Sequence, residues 1–311
     1  MSALVLPQDT PGPMCRTVTD AALMLDALIG FDPEDPYTAT AAINRPPRGG
    51  SYGDSLDTNG PIALASCRLG VLRKQCFGSD NDPECQAVRK VINASLSLLE
   101  DQGTQLIDVE ISDLDHYITF CSFYMSRSRH DIDSFLSSTA SQNGSAPTDF
   151  ANIITSKQCP PSTHALKAVA VGPSHPHQDS EYLSRVEERD TFQRLLVGFL
   201  ASNNLEALVF PSCPILPPLH TDTVEGGKWA QKGAQFPTNT SIASIGWMPS
   251  VSVPAGFADD QEAGGRLGRL PVGLEIMGLP MREQELLTLA RGVELAVNGR
   301  REPIFEKQLK L

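Results

Sequence analysis

Residues 68–111 constrain the fold of this chain more than any other stretch. Arg68-Leu69-Gly70-Val71-Leu72 is a short apolar run of strand type. Asp82-Pro83 then opens a helix, with an acceptor side chain at the N-cap and proline at the first helical position. Val88, Val91, Ile92, Leu96 and Leu99 recur at helical spacing, and Gly103 ends the element. Gln105 to Ile111 follows, alternating polar and apolar side chains as a half-buried strand does. Strand, helix and strand in this order make an α/β unit.

The rest of the chain extends the same pattern. Thr17 is an N-cap with Asp20 three residues on, and Leu23, Met24 and Ile29 form the expected apolar face before Gly30 stops the helix. Residues 40–65 carry turn formers and read as a surface connection. Residues 113–135 are predicted helical, with Ile118, Phe120, Phe123 and Tyr124 as core positions. The Ser-, Thr-, Asn- and Pro-rich residues 136–163 read as a loop or lid. Glu181 to Asn203 is a helix, with Leu183, Val186, Phe192, Leu196, Phe199 and Leu200 inward. Leu205 to Phe210 is a buried strand closed by Pro211-Ser212-Cys213-Pro214, and residues 215–243 cross irregularly. Val251 and Val253, then Val272 to Ile276, give two more strands before a last helix from Arg282 to Asn298. No internal repeat occurs. The expected fold is a single α/β domain over 1–311, a mixed β-sheet flanked by helices.

Charge and cysteine usage narrow the function classes. A net charge of −12 without a basic stripe argues against nucleic acid and anionic membrane as partners. No apolar run is long enough to span a bilayer. The first residues lack the basic region and apolar length of a signal peptide, so a cytoplasmic location is expected. The sequons at Asn93, Asn143 and Asn239 then carry no weight. Seven cysteines without a C-x-x-C pair make zinc unlikely and read as free thiols.

Two separated stretches carry a family resemblance. Asp9-Thr10-Pro11-Gly12-Pro13-Met14-Cys15-Arg16-Thr17-Val18, running on to Asp20-Ala21-Ala22, resembles the D-T-x-G-P-M-x-R-T-V-x-D-A-A segment of the amidase signature family. Pro249 to Phe257 and Leu270 to Gly278 look like that family's P-A-x-S-V-P-A-G-F and L-P-V-G-L-x-I-x-G pair. The resemblance implies an α/β fold whose mixed sheet lies between helical layers, with this chain as its C-terminal portion. It also implies amide hydrolysis through a serine acyl-enzyme, without metal or cofactor. In the family a lysine is the base, a cis-configured serine relays the proton, a second serine attacks, and a Gly-Gly-Ser-rich loop holds the oxyanion. A serine hydroxyl needs such a base, and the oxyanion such donors.

In the resembling proteins, all three residues precede the first mark. None can be placed in this sequence, so no catalytic residue is assigned. Gly49-Gly50-Ser51 is the nearest cluster, but it lies in a loop on the wrong side of the mark, and no G-x-S-x-G elbow occurs. The chain alone is therefore expected not to hydrolyse simple amides. Three expectations remain open: a fragment of a full amidase, a truncated pseudoenzyme or subunit, or a truncated homologue turned to another reaction in secondary metabolism. A small-molecule amide or related metabolite is the expected ligand. A shortened sheet leaves an edge that a homodimer or a partner chain would cover.

Candidate substrate-binding residues come from departures within the second mark. Against the family's N-x-x-G-x-P-A-x-S-x-P, this chain has Ser244 for Asn and Trp247 for Gly. Trp247 is expected to line a pocket beside Cys213 and the 249–254 segment, its indole offering an apolar plane and one donor. Cys213 sits where the resembling proteins often have a P-T-x-P turn, although a buried thiol is by default a small apolar group. His130 with Asp131 and Asp133 is an acid–base combination, but helical geometry points Asp131 away from His130, so a surface histidine is expected. His175 and His177 form a pair that lacks a third metal ligand. Asp9, Thr10 and Arg16 are read as residues that hold the turn.

Overall fold

The computed structural model describes residues 4–43, 50–56, 64–143, 147, 149–156, 164–218, 237–259 and 269–302, with backbone alone for 139–143 and 164–165. At its centre is a five-stranded mixed sheet of order β2-β1-β3-β5-β4. The strands are β1 (Arg68–Val71), β2 (Gln105–Asp108), β3 (Ala207–Pro211), β4 (Ser250–Asp259) and β5 (Arg269–Met277). β1 is parallel to β2 and β3, whereas β5 is antiparallel to β3 and β4. The helices are α1 (Val18–Leu28), α2 (Ala39–Ile43), α3 (Arg73–Cys76), α4 (Pro83–Asp101), α5 (Leu114–Phe120), α6 (Tyr124–Asn143), α7 (Phe150–Thr155), α8 (His164–Val171), α9 (Tyr182–Ser202), α10 (Ser241–Gly246) and α11 (Glu283–Val297).

The central strand is the most apolar. β3 reads Ala-Leu-Val-Phe-Pro and is buried at every position, as a strand covered on both faces must be. β2 is exposed at both ends and β4 alternates, which suits the two edges. α4 begins as its sequence predicts: the Asp82 carboxylate accepts from the Glu84 N–H at 2.8 Å, and Pro83 sits at the first helical position. Its inner face, Val88, Ile92, Leu96 and Leu99, is at most 2% exposed. Each such side chain contributes roughly 1.5–3 kcal/mol. α4 and α11 pack on each other and on β4, and the Ser95 hydroxyl on α4 donates to Ala255 O at 2.9 Å.

Four expectations need correction. In α1 the Thr17 cap forms, its Oγ1 accepting from Asp20 N–H at 3.0 Å, but the buried residues are Val18 and Ala22. The small residues face α11, which leaves Leu23 and Met24 about half exposed. The helix predicted over 113–135 breaks into α5 and α6, and the Phe123 N–H in the gap donates to Gln8 Oε1 at 3.0 Å. The segment read as a loop or lid, 136–163, is helical over 136–143 and in α7, while 144–146, 148 and 157–163 lie outside the described residues. Asp149 caps α7, Asp133 accepts from the Phe150 N–H at 2.6 Å, and Ile132, Phe150, Val169 and Ala170 form a small separate core. In α9, Leu183 and Val186 point outward, and Arg189 shares the buried stripe with Phe192, Leu196 and Leu200.

Candidate active site

Hydrogen bonds fix the N-terminal segment before any side chain meets a cavity. The Asp9 carboxylate accepts from the Leu4 and Val5 N–H groups at 2.6 and 2.9 Å, which closes the turn before the Pro11-Gly12-Pro13 stretch. The Leu6 N–H donates to Asp131 Oδ2 at 2.8 Å. The Trp247 Nε1–H donates to Pro7 O at 2.8 Å. The Val18 N–H at the start of α1 donates to Glu294 Oε1 at 3.0 Å. Residues 10–18, held at both ends, line a common space with residues 248–254 at the start of β4. Between them lies a cavity of about 590 Å³ whose lining includes Thr10, Arg16, Ser244, Met248, Ser252 and Glu283. The two stretches that carry the family resemblance thus face each other across one space.

Ser252, which lines the cavity, belongs to a polar cluster on one face of the sheet. Phe210, Glu275 and Ser252 are in register across β3, β5 and β4. Glu275 is 3% exposed, and its carboxylate accepts from Ser212 Oγ at 2.8 Å. Ser212 Oγ lies 2.6 Å from Ser252 Oγ. Gly273 leaves the room for this pair: a Cβ there would sit 2.8 Å from Ser252 Oγ. Asn239 closes the adjoining turn, its Nδ2 donating to Cys76 O and Pro211 O at 2.8 and 2.7 Å. The alternation of β5 hid Glu275. A carboxylate between Leu274 and Ile276 is the visible signal, since buried charge needs partners.

Of the residues expected to bind substrate, only Ser244 lines the cavity. Trp247 does not reach it. Its indole lies over the Arg189 guanidinium, 4.3 Å from ring centroid to Cζ, and Phe123 covers Arg189 at 4.9 Å. Arg189 donates to Ile245 O at 2.7 Å and Ser244 O at 2.9 Å, which satisfies carbonyls at the end of α10. Burial lowers its pKa to about 10, with Cys121, Tyr37 and Tyr182 acting against the drop. Trp247 terminates α10 with φ +51° and ψ 42°, the left-handed region. That conformation gives the physical reason for Gly at this point of the resembling motif. Cys213 is half-buried beyond β3, outside the cavity lining. Burial pushes its thiol up and the Glu275 charge adds to this, while a Thr238 hydrogen bond opposes it.

The other sequence candidates sit elsewhere. Gly49 lies outside the described residues, and the Ser51 hydroxyl donates to Asp26 Oδ2 at 2.7 Å, pinning that loop to α1. His130 Nδ1 lies 3.0 Å from Asp131 Oδ1, contrary to the expected divergence, because Asp131 is held inward by Arg127 and the Leu6 N–H. The fold brings His130, His175 and His177 together, with ring centroids 4.8 and 4.6 Å apart. Among the described residues no group is arranged to hold a metal ion, and no helix is long and apolar enough to cross a membrane.

A profile of the family described as Amidase matches residues 3–287. The chain belongs to the amidase family. It is 27% identical, over 96% of its own length and 59% of the relative's, to a glutamyl-tRNA(Gln) amidotransferase subunit from Ralstonia pickettii. It is 26% identical to the mandelamide hydrolase of Pseudomonas putida, over 92% of this chain and 50% of that one. The native peptide amidase of Stenotrophomonas maltophilia shares the fold, with a TM-score of 0.70 at 24% identity, covering 99% of this chain and 57% of that chain. This amidase-family chain therefore spans about half the length of the relatives it matches.

Proposed function

We propose that these 311 residues build the substrate-facing wall of an amide-hydrolysing site, and that the nucleophile loop is supplied by polypeptide outside them. The cavity shared by residues 10–18 and β4, the last strand of the sheet among the described residues, carries this assignment, because both family stretches converge there. The ligand is a small amide or a related metabolite, and Ser244 and Ser252 are on its side of the wall. On this reading the Gly-Gly-Ser-rich loop and its lysine belong to that outside polypeptide. A bare serine hydroxyl without a base contributes little to acyl transfer. The chain alone then does not turn over benzamide, acetamide or a chromogenic anilide, and measurable turnover by the purified chain contradicts the assignment.

The complementary polypeptide docks on the same side. Leu23, Met24, Leu28 and Phe31 are 47–59% exposed and Met14 is 97% exposed. An exposed apolar surface of this kind is where a second copy or a partner chain adds. A role as a non-catalytic subunit draws on the same surface.

A further inference from the structure

We infer that Ser252 is a binding residue that selects ligands offering an N–H donor, a carboxamide over the ester of the same shape. The inference rests on the amide-site assignment above and adds to it the polarity of one contact. It follows from counting protons. Ser212 has one hydroxyl proton and gives it to the Glu275 carboxylate at 2.8 Å. The proton shared across the 2.6 Å contact between Ser212 and Ser252 must then come from Ser252. Both serine protons are directed inward, toward a carboxylate that is 3% exposed. Ser252 itself is exposed and lines the cavity. What its Oγ presents to the cavity is a lone pair. A chain of hydrogen bonds ending on a carboxylate strengthens that acceptor.

The strand edge supplies the other half of the contact. The Gly278 N–H donates to Pro249 O at 3.0 Å, and Pro249 stands opposite Gly278 in the β4–β5 register. In an antiparallel ladder the phase alternates, so Val251 and Val253 bond to β5. The backbone of Ser252 therefore turns away from β5, toward the side of β4 that pairs with no strand among the described residues. Its N–H suits a carbonyl oxygen, which amides and esters share. Its Oγ suits the N–H that only the amide has. Pro254, two residues on, occupies an outward position where a missing N–H costs no ladder bond.

Saturation-transfer NMR on the full chain, with N-methylbenzamide and methyl benzoate as probes, tests this. The wild-type chain should bind the amide about tenfold more tightly than the ester, the factor expected of one hydrogen bond. Ser252→Ala should bring that ratio close to one with unchanged circular dichroism. Glu275→Gln gives a second reading: its amide donates to Ser212, both serine protons reverse, and the preference should move toward the ester. Binding of N-methylbenzamide that is undetectable at millimolar concentration, or a Ser252→Ala chain that keeps the wild-type ratio, overturns the inference. Release of benzoate from N-methylbenzamide alone by the wild-type chain refutes instead the placing of the nucleophile outside these residues, and leaves the ratio readable.

Discussion

Replacing Trp247 separates its packing from its backbone. The indole covers a guanidinium that is 1% exposed, at 4.3 Å. A desolvated cation–π contact of this kind contributes about 2 kcal/mol. The Nε1 bond to Pro7 O adds about 1 kcal/mol. Trp247→Ala should therefore lose about 3 kcal/mol. Its backbone remains at φ +51°, where a side chain with a Cβ costs about 1 kcal/mol. Trp247→Gly loses the same contacts but relieves that strain, so it should lose only about 2 kcal/mol. Trp247→Phe keeps the ring and drops the donor, and should lose about 1 kcal/mol. Urea unfolding followed by circular dichroism gives all three values. A glycine variant less stable than the alanine variant refutes the backbone argument, and an alanine variant within about 0.5 kcal/mol of wild type refutes the packing argument.

Two further outcomes follow from other parts of the fold. Burial raises the Asp131 pKa, but bonds from Arg127, His130 and the Leu6 N–H outweigh it and hold the carboxyl below its ordinary 3.8. Its contribution to stability is thus complete above that value and lost as pH falls through the depressed one. Asp131→Asn should flatten this acid limb and speed amide exchange at Leu6; an unchanged limb contradicts it. Light scattering at micromolar concentration should show the chain self-associated or binding a hydrophobic dye through the face around Met14 and Leu23, and a dye-free monomer removes that surface from the account.

Local signals carried the framework, and tertiary packing decided the rest. The β1–α4–β2 unit was readable because Asp82, Pro83 and Gly103 punctuate a helix with one apolar stripe. The convergence of residues 10–18 with β4 was not readable, since nothing local ties positions so far apart. Trp247 was misplaced for a related reason. Its size invited a pocket role, while its position is set by Arg189, which a helical pattern treats as solvent-facing. Leu23 and Met24 failed because α1 turns Val18 and Ala22 to α11, and an apolar stripe alone does not say which face is covered. Helix within 136–163 is not legible in the sequence, because capping by Asp149 and the bond to Asp133 offset weak propensities.

Covalent labelling tests the central claim most directly. The purified 311-residue chain, treated with a fluorophosphonate and weighed intact by mass spectrometry, should carry no adduct, because the proposed site takes its base and its nucleophile from polypeptide outside these residues. A stoichiometric adduct mapped to one serine, together with benzamide turnover lost when that serine is changed to alanine, would contradict it.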